Sequence, residues 1–513
     1  MINIGKDTLR LSNFYDVLIN NQKVALDSTA VNSMQQGFDF LKEISSEKVV
    51  YGINTGLGPM AQYKIESEEQ IELQYNLIRS HASGTGEPLS PTQVKSAMIC
   101  RLNTIIQGRS GIFPYSVELL KELINHDITP LIPSHGGVGA SGDLVQLAHL
   151  ALVMIGEGEV FYKGERLQTK QVFEKLNIRP LDIKLREGLG LINGTSVMSG
   201  IGMLNIINSW RLVNWGVIMS SMINEIVASF SDHFSEELNE VKLHQGQDRI
   251  AHAMREIMAD SELIRNRYDF HFEDDLTDNI YNQKIQEYYS LRCVPQILGP
   301  VLDTIDFTQK VLTDEVNSVS DNPVIDYKRK KVLHGGNFHG DYVSLEMDKL
   351  KLAITRMSML AERQVNYLMN DKLNKILPPF VNLGKLGFNL GMQGVQFTAT
   401  STVAENQSLS TSLYVHSIPN NNDNQDIVSM GTNAALSAAK VIDNTFEVFS
   451  IEILSLVQAI DYLNISDKLS SKNQEIYNEV RKIVPSFKDD SVMYQRLSKL
   501  NEYMKSKEQQ LIK

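Results

Sequence analysis

Cysteine is almost missing from this 513-residue chain, which holds only Cys100 and Cys293. Two thiols make no disulfide framework and are too few for a thiolate metal centre. A reducing compartment, the cytoplasm, is the expectation. Basic excess is missing too: 49 Lys and Arg stand against 61 Asp and Glu, for a formal net charge of -12. A surface of that sign does not track phosphates, so nucleic acid is not an expected partner. The opening MINIGKDTLRLSNF lacks the cationic start, apolar run and small-residue cleavage pattern of a secretory leader. Nor is any stretch fit for lipid. The most apolar one, 197–230, is broken by Asn205, Asn208, Arg211, Asn214, Asn224 and Glu225, which a bilayer would penalise. It reads as a buried bundle helix, and no membrane partner is expected. The histidines are scattered without ligand spacing, so no metal is expected either.

What is present is enough for a folded protein, since 42% hydrophobic against 21% charged residues leaves ample apolar surface to offset chain entropy. Glycine-rich segments, YGINTGLGP at 51–59, SHASGTGEP at 80–88 and SHGGVGASGD at 134–143, break up the first part of the chain as loops. Beyond residue 195, Tyr342 to Asn370, Gln393 to Ser410 and Ser429 to Leu463 carry apolar residues at helical spacing over lengths that suit a bundle. FYKGERLQ at 161–168 alternates and turns like a hairpin. The expected fold is mainly α, a long-helix bundle with a smaller, loop-rich N-terminal domain. The expected divisions are 1–195, a central bundle over 196–467, and a peripheral helical tail over 468–513 that frays at KSKEQQLIK.

The chemistry is suggested by HGGVGASGDLVQLAHLALVMIGEGE at 135–159, a small-residue loop running into an apolar, helix-periodic stretch. Gly142 has no side chain to keep its nitrogen from the carbonyl carbon of Ala140, and alanine adds little bulk. Closure of that ring and loss of water from Ser141 would leave a five-membered ring with an exocyclic methylene, a Michael acceptor that needs no bound cofactor. A helix starting near Asp143 would present unpaired amides that favour electron density on the ring. The tripeptide alone is common; its context decides.

GGVGASGDLVQLAHLAL resembles the active-site signature of the histidine, phenylalanine and tyrosine ammonia-lyases, which carry 4-methylidene-imidazol-5-one (MIO). YGINTGLGP at 51–59, GLINGTSVMSG at 190–200, YYSLRCVPQILGP at 288–300, SDNPVI at 320–325, GGNFHGDYV at 335–343 and NNDNQDIVSMG at 421–431 resemble further family motifs in family order. The resemblance implies a non-oxidative elimination of ammonia from an aromatic amino acid, with MIO built from Ala140, Ser141 and Gly142. It implies that the methylene captures the substrate and that Tyr51 takes the β-proton, which requires donors that make a phenol more acidic than usual.

Arg292 in SLRCVPQ is the expected clamp on the substrate carboxylate, a guanidinium fork being suited to bidentate grip. Tyr289 lies one helical turn earlier and Gln286 another turn back. Asn193 in INGTS is placed by the resemblance as an oxyanion-type stabiliser. Asn322 and Phe338 belong to the pocket, Glu405 is the acidic residue near the amine and ring, and Gln425 supports the constellation. Taken bare, each has a bland alternative: a turn asparagine, a helix carboxylate, a half-buried aromatic.

Selectivity in the family is read from the pair that here is Ser80-His81. Ser-His resembles the histidine enzymes, whereas NQDIVSMG at 424–431 resembles the phenylalanine and tyrosine enzymes. The whole chain looks most like bacterial tyrosine ammonia-lyases associated with aryl-polyene pigments, so L-tyrosine is the expected substrate and p-coumarate the product. Histidine elimination to urocanate is the alternative, and an aminomutase that returns the amine is another. Leu57 departs from the phenylalanine of many relatives, which puts loop packing over the pocket in question. An all-helical lyase of the fumarase type is disfavoured because its glycine- and serine-rich Met-Pro loop is missing, and a scaffold without the prosthetic group is disfavoured by the intact tripeptide. The resemblance also implies a homotetramer whose sites draw on three subunits.

Overall fold

The computed structural model describes residues 1–270, 279–281, 283–509 and 511–512. Long stretches with helical periodicity and few breakers fold into long helices, as expected from their spacing. The helices that matter below are, in chain order, α1 (Gln70–His81), α2 (Pro91–Ile106), α3 (Leu144–Met154), α4 (Glu187–Ile192), α5 (Ser196–Ile226), α6 (Tyr289–Arg292), α7 (Val294–Val316), α8 (Asp341–Met369), α9 (Gln393–Leu409), α10 (Gly431–Leu463), α11 (Ser471–Ile483) and α12 (Tyr494–Ser506). The 31 residues of α5 make a rod of about 46 Å at 1.5 Å per residue. Strands are short and few. The hairpin expected at 161–168 is β1 (Glu159–Tyr162) paired antiparallel with β2 (Glu165–Gln168), in register from Glu159 opposite Gln168 to Tyr162 opposite Glu165.

Several of the polar residues that spoil 197–230 for lipid find hydrogen-bond partners within the protein. Asn205 donates to the Ala435 carbonyl at 2.8 Å, and Glu225 accepts from the Ser470 amide and Asn473 side chain, each at 2.7 Å. Among the described residues no helix is long and apolar enough to cross a membrane.

The chain divides into two compact units. The first gathers Met1–Ile207, Thr308–Asp348 and Ser412–Ala438; the second gathers Asn208–Phe307, Lys349–Thr411 and Ala439–Lys513. In the first, α3 buries Leu147, Ala148, Leu150, Ala151, Val153 and Met154, each large apolar side chain contributing roughly 1.5–3 kcal/mol. A separate core of Phe38, Leu41, Val50, Ile53, Leu185 and Ile325 brackets Tyr51 in sequence and fixes the start of its loop. In the second unit the chain end leaves helical structure within KSKEQQLIK, where the sequence suggested fraying. It leaves α12 at Ser506, and the amides of Leu511 and Ile512 donate to Asn214 Oδ1 at 3.1 and 3.3 Å. Residues 510 and 513 of that tail lie outside the described residues.

Candidate active site

The segment 139–143 is a bend whose two ends are pinned by the backbone. On one side the Gly139 carbonyl accepts from Ser429 Oγ and from the Gly340 amide, each at 3.0 Å. On the other the Asp143 amide donates to the Gly194 carbonyl at 2.8 Å. Gly142, at φ +69°, lies so close to Gly194 that a methyl group there would run into the Gly194 backbone. Only glycine tolerates both conditions. Ala140 is buried, and Ser141, half-buried, accepts a hydrogen bond from Gln425 Nε2 at 3.0 Å.

Asp143 sits before α3, as the sequence suggested, but its carboxylate serves a different helix. It accepts from the Val197 and Met198 amides at 2.8 and 2.9 Å, the first turn of α5, and from the Thr432 hydroxyl. These amides are orphan donors that a carboxylate satisfies well. Complete burial raises its pKa to about 6, against the lowering effect of those three donors.

Ser141 opens on a cavity of about 700 Å³. The structure brings Tyr51, Ser80, His81, Asn193, Asn322, Phe338 and Gln425 to the same walls, and Leu57 with them. The Tyr51 oxygen accepts from the Gly58 amide at 2.9 Å. Asn193 is buried and its Oδ1 has no hydrogen-bond partner among the described residues. Such an atom is costly unless something else comes to donate to it. Asn322 Oδ1 accepts from the Gly335 amide at 2.9 Å, and its segment is backed by Arg186, which donates to the Asn322 carbonyl at 3.0 Å.

His81 closes α1, and its Nδ1 lies 3.0 Å from the Leu77 carbonyl and 3.0 Å from Ser80 Oγ. A carbonyl only accepts, so Nδ1 carries the proton and Nε2 is left as an acceptor. Burial pushes the imidazole below its ordinary range, partly offset by the bond to Leu77. The exit of α1 is held from α3, where His149 Nε2 accepts from the Gly84 amide at 3.1 Å.

Gln286, Tyr289, Arg292 and Glu405 belong to the second unit and do not line that cavity. The first three line another, of about 710 Å³, with Lys284 and Arg363. Arg292 stacks its guanidinium 4.8 Å from the centre of the Tyr289 ring and donates to Gln286 Oε1. Here one expectation needs correcting. Because α6 is a single turn that starts at Tyr289, Gln286 is not a further turn back on the helix but precedes it, reaching Arg292 through its side chain. Glu405, on the exposed face of α9, accepts from Asn444 Nδ2 at 2.7 Å and lies 3.7 Å from Lys440 Nζ.

Sequence reasoning passed over Leu144, Asn421 and Asn424, which also line the first cavity. Leu144 was readable as the residue two places after the tripeptide, whereas Asn421 opens and Asn424 follows a run of three consecutive residues of positive φ, 421–423, that nothing in the spacing signals.

Comparison with known proteins agrees with this geometry. The family model for aromatic amino acid lyase matches residues 9–482. The chain is 36% identical over 508 residues to a histidine ammonia-lyase of Stigmatella aurantiaca, covering 99% of this chain and 97% of that one. It is 36% identical over 499 residues to a tyrosine 2,3-aminomutase of Chondromyces crocatus, covering 96% and 94%. The solved phenylalanine aminomutase of Pantoea agglomerans superposes with a TM-score of 0.94 at 34% identity, over 99% of both chains. With the motif order, the mainly helical fold and these matches in agreement, the chain belongs to the aromatic amino acid lyase family, enzymes that break carbon–nitrogen bonds.

Proposed function

We propose that this protein removes ammonia from L-tyrosine without oxidation, releasing p-coumarate, by means of an electrophile it makes from Ala140, Ser141 and Gly142. The observation that carries this reading is the presence of Ser141, Tyr51 and His81 on the walls of one cavity. Ring formation needs nothing from outside. The Gly142 nitrogen bonds to the Ala140 carbonyl carbon, and the carbonyl oxygen leaves as water with the amide hydrogens of Gly142 and Ser141. Ser141 then loses its α-hydrogen and hydroxyl as a second water. The residues fit the MIO group so formed: a glycine with no room for a Cβ, a small buried alanine, and a serine hydroxyl held by Gln425. MIO supplies the electrophilic methylene; the rest of the chemistry belongs to the surrounding side chains.

Tyr51 is the base for the β-proton, and the Gly58 amide is a donor of the kind that role needs. Asn193 offers its unpartnered Oδ1 to the substrate amine. Phe338 and Asn322 wall the reacting centre, and Ser80 keeps the His81 ring in place. The free Nε2 of His81 accepts from the phenolic hydroxyl of tyrosine, a bond that phenylalanine cannot make. An imidazole N–H could donate to the same nitrogen, so histidine is the second reading, supported by the name of the Stigmatella relative. Return of the amine to the β-carbon is the third, supported by the names of the aminomutases.

Arg292 grips the carboxylate with Tyr289 and Gln286 beside it, and Glu405 faces the amine and ring. In this reading other copies of the chain bring these four residues to the cavity, in a homotetramer working in the cytoplasm. The support is that all four lie outside the cavity of their own first unit, with Gln286, Tyr289 and Glu405 exposed. Incubation with tyrosine, histidine and phenylalanine in turn, following the unsaturated acid by its ultraviolet absorbance, tests the choice of substrate. Dominant p-coumarate is expected; dominant urocanate would replace tyrosine with histidine, and accumulation of β-tyrosine would make the enzyme an aminomutase.

A further inference from the structure

We propose that Arg101 is a positioning residue for the electrophile: its guanidinium sets the Asn193-Gly194 peptide against which Ala140, Ser141 and Gly142 are bent. The inference rests on the reading of the tripeptide given above.

Arg101 is on α2 and is fully buried. Its Nη1 donates to the Asn193 carbonyl at 2.8 Å and its Nη2 to the Gly190 carbonyl at 2.6 Å, while its Nε has no partner among the described residues. Those carbonyls lie at and just beyond the C-terminal end of α4, where helical carbonyls lack internal partners. The guanidinium also lies against Gly194 itself, where a Cβ would come within 2.5 Å of Nη1. Gly194 in turn accepts from the Asp143 amide at 2.8 Å, and its backbone occupies the space where a Gly142 side chain would be. Three layers result: a buried cation, the 193–194 peptide, and the bend.

The cost of this arrangement argues for a purpose. Burying a guanidinium is expensive, and here it is spent on two neutral carbonyls, since Asp321, the nearest influential carboxylate, is hydrogen-bonded to Arg186 and to the Asn322 amide instead. An apolar side chain would serve packing better. What an arginine adds is a rigid fork that fixes two carbonyls at once, which a lysine ammonium on a flexible stem does not reproduce. Desolvation draws the guanidinium down to about 10, with Asp321 and Asp143 opposing, so it stays cationic at neutral pH.

The test compares wild type, Arg101→Lys and Arg101→Met for three quantities: the fraction of chains lighter by two waters, the melting temperature, and kcat and KM of the matured chains. Lysine keeps the charge and loses the fork. The expected result is a folded R101K whose matured fraction at a fixed time after synthesis drops about tenfold or more, because small misplacements of reacting atoms are costly. KM of the chains that do mature should rise only modestly, by up to about fivefold, since Arg101 does not line the substrate cavity and reaches the substrate only through the Asn193 peptide it holds. R101M should mature less than R101K. Full maturation of R101K would overturn the proposal, and so would an R101K that fails to fold, which would make Arg101 a support of the core alone. A wild type with unmodified mass would instead defeat the reading of the tripeptide itself.

Discussion

The bend at 139–143 and the stretch from Gln286 to Arg292 are held in opposite ways. The bend is fixed by backbone hydrogen bonds with Gly194 and Gly340, by the Ser429 hydroxyl, and by a buried carboxylate that caps α5. The Arg292 stretch is anchored from below, by buried Leu291 and by Gln364 and Asn224 donating to the Ser290 and Leu291 carbonyls, but the Arg292 head itself meets only a tyrosine ring that is 70% exposed and a glutamine in the coil before a one-turn helix. A reaction within the chain must be preorganised by the chain, whereas a grip on a substrate can be left open until other surfaces close over it. The contrast is informative because both stretches resemble family motifs, and in the proposed reading only the first is finished within one polypeptide.

The strongest way to break this comparison is to place the two halves on different chains. Ser141→Ala and Arg292→Ala are each expected to lose elimination activity, the first by on the order of a thousandfold or more because the nucleophile acceptor is gone. Co-expressed, they should regain a measurable fraction of wild-type activity, as some sites would combine an intact tripeptide with an intact clamp. No recovery in an assembly shown to contain both variants would mean that one chain supplies both halves.

Stability sharpens the contrast next. Arg186 and Asp321 are wholly buried 3.2 Å apart beneath Asn322. Asp321→Ala leaves a buried cation alone and should cost about 3–5 kcal/mol in denaturant unfolding. Arg292→Ala, on the open stretch, should cost roughly 0.5 kcal/mol or less. Equal losses would show that the two regions are bound alike.

His81 is the third probe. Replacing it with leucine removes the Nε2 acceptor, so the preference for tyrosine over phenylalanine in kcat/KM should fall about tenfold to a hundredfold, the range of one buried hydrogen bond. An unchanged ratio would remove His81 from substrate choice. The smallest effect is with pH. Burial holds the His81 imidazole below its ordinary range, so it is neutral at pH 7 and Nε2 can accept. KM for tyrosine should therefore stay flat as pH falls toward about 6.5 and rise only below that, as protonation turns the acceptor into a donor. His81→Gln should lack this limb of the profile.

Much of the architecture was legible because helical periodicity is local. The spans read from spacing at 342–370, 393–410 and 429–463 coincide closely with Asp341–Met369, Gln393–Leu409 and Gly431–Leu463, and the 161–168 hairpin with β1 and β2. The bend was legible from its glycines. What could not be read was long-range and polar. Nothing in ICRLNTII marks Arg101 as a core residue, since a lone arginine in an apolar helix ordinarily extends to water. That Gln425 reaches Ser141, and that Asp143 caps α5 instead of its own helix, are facts of tertiary packing. The pairing of the Leu511 and Ile512 amides with Asn214 is another such fact, which the charges of the tail do not signal.

The pinning of the bend carries one more implication. The tripeptide can meet Gly194 early in synthesis, but Gly340 and Ser429, which pin the Gly139 carbonyl, arrive much later. A half-made chain lacks Gly340 and Ser429, so on the proposed chemistry an electrophile toward cellular amines and thiols would form only in molecules that have completed their own fold.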